Sequence, residues 1–180
     1  MKRLVILTLL LCVGCAVKTV HPTIFDAITA GDYEDVKRFI KNKTNLELTI
    51  VGQFTPLHVA VDTGHPDIVE LLLNSGSVIE AKDAAGLTAL NRAAFDNKPD
   101  IIQILLRHGA DLRTTDAKGK QPIHWAVRKN ARAAVEALLI AGADVNVPDG
   151  YGATPLQMAQ QFNYTAMVGY LKSRGAKETP

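Results

Sequence analysis

The chain has 180 residues, which is enough for one domain or for a short array of repeats. Hydrophobic residues make up 47% of the chain and charged residues 21%, a balance that supports a buried core and argues against intrinsic disorder. The formal net charge of +2 is accounted for by Lys2 and Arg3, so the remaining chain is neutral and has no electrostatic reason to bind nucleic acid or an anionic membrane.

Residues 1–14 have the pattern of a signal peptide. A basic start, with Lys2 and Arg3, is followed by an apolar run over 4–14 that only Thr8 interrupts. A membrane-spanning helix needs roughly 20 residues, so this run is too short to span comfortably. Its length and its flanks fit the apolar region of a cleaved signal. The alternative is an N-terminal helix that packs against the rest of the chain.

The end of this run, Cys12-Val-Gly-Cys15-Ala16, resembles a bacterial lipobox, although Cys12 stands where leucine is usual. The resemblance implies cleavage before Cys15, acyl chains on Cys15 and a short tether over 15–21. The protein would then be held by its lipid anchor alone in the periplasm-facing cell envelope, at the outer membrane rather than the inner one. Ordinary cleavage near Ala16 would instead release a soluble periplasmic or secreted protein.

The rest of the chain repeats itself every 33 residues. Four segments align at this spacing without a gap: Thr55–His58, Thr88–Asn91, Gln121–His124 and Thr154–Gln157. An alanine and a glycine recur at the same spacing: Ala27, Ala60, Ala93, Ala126, Ala159; Gly76, Gly109, Gly142, Gly175. Self-similarity at this period predicts a stack of repeated units, in which each unit packs only on its neighbours.

The Thr-Pro-Leu-His signature and the Gly-Ala-Asp near the end of a copy resemble the ankyrin repeat, over about residues 22–177. The resemblance implies an all-α repeat solenoid of about five repeats. Each repeat would be a helix-turn-helix followed by a β-hairpin finger. The expected repeat boundaries are about 22–52, 53–85, 86–118, 119–151 and 152–177.

The residue types at the repeated positions also favour these helices and turns by their own chemistry, independently of the resemblance. A threonine such as Thr55 can accept a hydrogen bond from a free amide at a helix start, and the proline after it suits the first helical position. A glycine such as Gly76 can end the second helix in the left-handed conformation. The spacing of Asp83 and Gly86 indicates a tight turn between repeats.

No residue pattern indicates catalysis, a cofactor or a metal site. The histidines form no His-Glu-x-x-His motif, and no cysteine follows Cys15, so we expect no thiolate site and no disulfide in the repeats. His58 and His124 occupy the signature position, where the resemblance implies a structural hydrogen bond between repeats. Nucleophile and base partners are missing, and the sequence therefore predicts a protein that is not an enzyme.

The resemblance also implies where a partner would dock. In ankyrin proteins, partners contact the hairpin tips and the exposed positions of each first helix. At those positions the chain has Asp62, Thr63, Leu87, Phe95, Asp96, Lys118, Lys120, Arg128, Lys129, Tyr151 and Phe162. Their alternative role is that of ordinary solvated charges and partly buried aromatic side chains. Trp125 is a further candidate for this surface, but it lies beside His124, and we favour packing in the core.

These observations predict a protein-binding scaffold in the bacterial cell envelope. Large apolar side chains on the expected surface would anchor a protein partner, while the basic residues of the fourth copy would steer an acidic one. We expect the chain to be monomeric when unbound, and we expect no nucleic-acid partner. The alternative function is that of a periplasmic immunity or self-protection inhibitor, which would block a toxic enzyme aimed at the envelope.

Overall fold

A computed structural model describes residues 20–178, so the predicted signal segment and Cys15 lie outside the described residues. This part of the chain forms ten α-helices: α1 (Ile24–Thr29), α2 (Tyr33–Lys41), α3 (Pro56–Thr63), α4 (Pro66–Asn74), α5 (Ala89–Phe95), α6 (Pro99–Arg107), α7 (Pro122–Arg128), α8 (Arg132–Ile140), α9 (Pro155–Gln161) and α10 (Thr165–Ser173). Within the described range, every helix is too short or too polar to traverse a bilayer.

The helices form five successive pairs, and the pairs stack in chain order. The first helices α1, α3, α5, α7 and α9 contact one another in sequence, as do the second helices α2, α4, α6 and α8. One apolar core runs between the two layers, and Leu105 on α6 is fully buried in it. The predicted repeat solenoid is therefore confirmed.

The fingers between the pairs differ from the expected β-hairpins. Residues 20–178 contain no regular strand, and each later finger is a tight turn that begins at an aspartate. The amide of Asp83 donates to the carbonyl of Leu87 at 3.0 Å, and the Asp83 carboxylate accepts from the amides of Ala85 and Leu87. Asp116 and Asp149 close their turns in the same way. So short a loop offers too few pairs for a strand ladder.

The start of each first helix is stabilised by reciprocal hydrogen bonds. In α3 the Thr55 side chain accepts from the amide of His58, and the amide of Thr55 donates to His58 Nδ1 at 3.2 Å. Asn91 and Gln157 accept the corresponding amide hydrogen bonds in α5 and α9, at 3.0 and 2.9 Å. The predicted threonine caps are confirmed, and the signature histidine acts as one of several side chains that can complete them.

The two signature histidines also link the helix starts to more distant backbone. Because Nδ1 of His58 accepts a hydrogen bond, its Nε2 carries the proton and donates to the carbonyl of Leu87 in the next repeat, at 3.2 Å. His124 donates in the same way to the carbonyl of Val147, at 3.0 Å. Val147 lies in the loop after α8, so this second bond stays inside the fourth copy, unlike the predicted bond between repeats.

Burial lowers the pKa of both His58 and His124, because both rings are enclosed and protonation would place a charge in the core. Unfolding restores their ordinary pKa of about 6.5, so the unfolded chain takes up protons first as the pH falls. We expect the free energy of unfolding to be constant at its highest value above about pH 7, as far as these histidines determine it, and to decrease as the pH falls through about 6.5. Denaturant unfolding at a series of pH values measures this.

The chain offers its own control for this pH dependence, because glutamine fills the same position in the fifth copy. In the double variant His58→Gln with His124→Gln, the cap acceptor is kept and the titrating ring is lost. Its unfolding free energy should depend much less on pH between about 5.5 and 7.5. An equal loss of stability in both proteins over this range would show that the histidines are not its cause.

Candidate protein-binding surface

Nine of the eleven predicted partner-binding residues lie at the C-terminal ends of α3, α5, α7 and α9 or at the finger tips, and we name the surface that these parts form the first-helix face. Two predicted anchors are well exposed: Tyr151 at a finger tip is 75% exposed, and Phe162 beyond α9 is 41% exposed. Asp62 and Phe95 are half-buried. The other exposed members of the set are Thr63, Asp96, Lys118, Arg128 and Lys129.

The expectation of exposure is wrong for Leu87 and Lys120, which are each only 8% exposed. Both residues occupy the last position of a finger, directly before a first helix begins. The carbonyl of Leu87 accepts hydrogen bonds from Asp83 and His58, and this holds the residue against the preceding copy. The side chain at this position therefore points towards the contact between copies and away from the tip.

We call the contact between the first helix and finger of one copy and those of the next a junction. At the junction of the second and third copies, Arg92 makes two hydrogen bonds of 2.6 Å to Asp62 and one of 2.8 Å to Asp83. Its guanidinium also lies 4.5 Å from the ring centre of Phe54. Burial alone would lower the pKa of Arg92, but the two carboxylates outweigh it and raise the pKa. The charge of Asp62 is thus already neutralised.

A different ion pair closes the junction of the fourth and fifth copies. Lys120 pairs with the buried carboxylate of Asp149, and its ammonium lies 5.3 Å from the ring centre of Tyr151. Burial alone would raise the pKa of Asp149, but Lys120 and two backbone amides outweigh it and lower the pKa. The backbones of the two fingers also approach closely, since a Cβ on Gly119 would lie 2.6 Å from the amide nitrogen of Gly150.

The junction of the third and fourth copies is apolar and open. Phe95 and Trp125 meet edge to face, with ring centres 5.6 Å apart. A cavity of about 250 Å³ opens beside them, and we name it the junction pocket; its lining is Leu87, Arg92, Phe95, Asp96 and Trp125. Leu87, Phe95 and Asp96 come from the predicted set, so the structure brings three predicted residues into one depression.

Two cations frame this pocket. Lys129 lies 4.5 Å from the ring centre of Phe95, and Arg128 lies 5.3 Å from that of Trp125. Neither cation, nor Lys118 at the fourth finger tip, forms an ion pair with a carboxylate of residues 20–178. The structure therefore places surplus positive charge beside two half-buried aromatic rings.

Sequence reasoning missed Arg92 and gave Trp125 too little weight. Trp125 was a further candidate for which packing in the core was favoured, whereas it is half-buried and lines the junction pocket. Both residues occupy the same position in successive copies, which also holds Val59 and Met158. A comparison of the four residues at this position would have shown the change from a charged to an aromatic side chain.

A cluster of possible metal ligands lies at the other end of the stack. One ligand atom from each of His21, Asp32 and Asp35 falls within a span of 4.8 Å. Each carboxylate already has protein partners, however: Asp32 caps the amide of Asp35, while Asp35 accepts from the backbone of His21 and from Arg38. These contacts attach the segment before α1 to α2, which is a structural role.

A larger cavity, of about 650 Å³, lies between the loops that follow α6 and α8. Its acidic side chains hold their own loops: Asp111 accepts from the amide of Arg113, and Asp144 accepts from the amide of Asn146, both at 2.8 Å. These carboxylates are turn-forming groups, and they give the cavity no assembled reactive site.

Comparison with known proteins agrees with this architecture. The family described as ankyrin repeats (3 copies) matches residues 5–83, 24–116 and 93–179. Over 72 residues, 38% of this chain, the sequence is 39% identical to human protein phosphatase 1 regulatory subunit 27 and 37% identical to the mouse protein. Over 62 residues, 34% of this chain, it is 36% identical to alpha-latrocrustotoxin-Lt1a of Latrodectus tredecimguttatus. The match spans 47% of each regulatory subunit and 4% of the toxin. The chain belongs to the ankyrin repeat family.

Proposed function

We propose that this chain is a non-enzymatic module that binds a protein partner through the first-helix face of its third to fifth copies. The observation that carries the proposal is the open, aromatic junction pocket with the unpaired cations Arg128 and Lys129 beside it. Exposed aromatic and arginine side chains are the groups that most often dominate protein interfaces. The similarity to a protein named as a phosphatase regulatory subunit supports binding to another protein.

The chemistry of the described residues supports binding over catalysis. His58 and His124 are fully buried, and both ring nitrogens of each take part in hydrogen bonds that hold the fold. A buried ring whose pKa is lowered and whose nitrogens are occupied is poorly placed to exchange a proton with a substrate. The cations Arg128 and Lys129 at the edge of the pocket suit recognition of an acidic surface.

The exposed aromatic residues give a direct test of the binding face. Tyr151→Ala and Phe162→Ala should each weaken binding of the partner by about 2 kcal/mol or more if they lie at the interface centre, mainly through faster dissociation. Arg128→Glu with Lys129→Glu should mainly slow association and reduce its salt dependence. The partner is first isolated by co-purification from detergent-solubilised envelopes with mass spectrometry, and surface plasmon resonance then measures each variant.

A matched control lies on the opposite side of the stack. Ile140 at the end of α8 is 76% exposed, nearly the same as Tyr151, but it lies on a second helix. Ile140→Ala should leave binding unchanged, and every variant should keep the circular dichroism spectrum of the parent. If Ile140→Ala loses binding while the aromatic and charge variants bind normally, the interface lies on the second helices and the proposed binding face is wrong.

We further propose that the protein is anchored in the bacterial envelope through acyl chains on Cys15, which the lipobox resemblance supports. Cys15→Ala should accumulate unprocessed precursor or change the membrane fraction in which the protein is found, because the acylated residue is lost. Cys12→Ala is the matched control, since it removes the other cysteine and leaves the acylated position intact. Immunoblots of fractionated cells measure both. Normal maturation and fractionation of Cys15→Ala would refute the anchor.

A further inference from the structure

The three junctions between the second and fifth copies can be compared position by position, because equivalent side chains are 33 residues apart. Trp125 at the junction of the third and fourth copies is the equivalent of Arg92 at the junction of the second and third. In the same way, Phe95 is the equivalent of Asp62, and Leu87 is the equivalent of Phe54. An ion pair between first helices, covered by one ring, is thus replaced by three apolar side chains around an open cavity.

We propose that the junction pocket is a socket for one apolar side chain of the protein partner, flanked in the partner by carboxylates that pair with Arg128 and Lys129. The inference rests on the proposed function and narrows it to one pocket and one kind of recognition segment. The partner segment is an exposed leucine, or a side chain of similar size, between aspartate or glutamate residues.

The size of the cavity favours a side chain over a small-molecule ligand. Pockets for small ligands and cofactors usually measure about 300–1,000 Å³, and the junction pocket, at about 250 Å³, lies below that range. The cavity is partly open to solvent and lies beside the Phe95–Trp125 contact, so a side chain can enter it from a partner that lies across the first-helix face.

The charges around the opening determine which partner fits. Arg92 lines the cavity, but Asp62 and Asp83 already neutralise it. Asp96 also lines the cavity, and the ammonium of Lys98 lies 3.8 Å from its carboxylate. The charges around the opening without a carboxylate or ammonium partner among residues 20–178 are those of Lys129 and Arg128, each beside an aromatic ring at the rim. A carboxylate on either side of the inserted side chain would meet these cations, whereas a lysine or arginine there would be repelled.

The neighbouring junction supplies the design for a control variant. Trp125→Arg with Phe95→Asp copies the Arg92 and Asp62 pair into the junction of the third and fourth copies. Asp116 is the equivalent of Asp83, which pairs with Arg92, and of Asp149, which pairs with Lys120. At the junction of the third and fourth copies the two cation positions hold Trp125 and Leu87, so Asp116 is available to pair with the guanidinium introduced at position 125. The double variant should therefore fold while it replaces the apolar walls of the pocket by an ion pair.

The test uses three labelled peptides and the full chain in detergent. The peptides are Glu-Glu-Leu-Glu-Glu, the same peptide with serine at the centre, and Lys-Lys-Leu-Lys-Lys. Fluorescence anisotropy measures their affinities. Trp125 is the only tryptophan of the chain, so a change in intrinsic fluorescence reports directly on the pocket. We expect the acidic leucine peptide to bind roughly ten-fold more tightly than the serine peptide, which is what burial of a leucine side chain supplies. It should also bind more tightly than the lysine peptide, because Arg128 and Lys129 repel the lysine side chains.

The acidic leucine peptide should bind the double variant about ten-fold more weakly, to the level of the serine peptide, while circular dichroism shows an unchanged fold. Equal affinity for the leucine and serine peptides, or undiminished binding to the double variant, would overturn the socket. If the double variant fails to fold, Phe95→Ala alone replaces it, with the same expected loss.

Binding measurements with the natural partner distinguish an error in the proposed socket from an error in the proposed function. If the partner binds the double variant normally but loses affinity for Tyr151→Ala, the first-helix face is the interface and the socket is wrong. If it binds all of these variants normally, both proposals are wrong. Loss of partner binding in both the double variant and Tyr151→Ala supports both.

Discussion

Each helix pair can bury its apolar side only against the pairs before and after it, and the rest of the structure depends on this stacking. Leu105 is fully buried because α6 lies between α4 and α8, and α4 and α8 are buried by their own neighbours in turn. Stacking of this kind fixes the period, since a copy of a different length would shift its apolar face out of the core. Side chains of one copy therefore meet those of the adjacent copy at fixed spacings, as Arg92 meets Asp62, 30 residues earlier.

This constraint leaves the junctions as the places where the copies can differ. The stack tolerates an ion pair around Arg92, a lysine-aspartate pair at Lys120 and an aromatic pocket at Trp125, because the helices behind them pack in the same way. The aromatic junction has a cost: the indole nitrogen of Trp125 is buried without a hydrogen-bond partner among the described residues. An unpaired buried donor costs about 1–3 kcal/mol.

The fold could be predicted from the sequence because its signals are local and repeated. Thr55 as a cap, the proline after it and the left-handed Gly76 each act within a few residues, and the 33-residue period then arranges the pairs. The surface could be predicted only in part. Tyr151 and Phe162 are exposed as expected, since finger tips and helix ends face solvent in any stack of this kind.

The errors share one physical cause. Exposure was assigned one residue at a time, whereas Leu87 and Lys120 are buried by contacts with neighbouring copies, such as that of Lys120 with Asp149. Arg92 was missed for the same reason, because its role lies in a contact with Asp62, 30 residues earlier. A sequence compared position by position at the repeat spacing contains this information, and a sequence examined along one copy does not.

The central claim is that a partner covers the first-helix face at the third to fifth copies. Hydrogen–deuterium exchange of the chain, with and without the co-purified partner, tests it most directly. The account predicts slower exchange in the fingers at 116–120 and 149–153 and at the C-terminal ends of α5 and α7, with little change in α4, α6 and α8. Protection confined to those second helices, with the first-helix face unchanged, would contradict it.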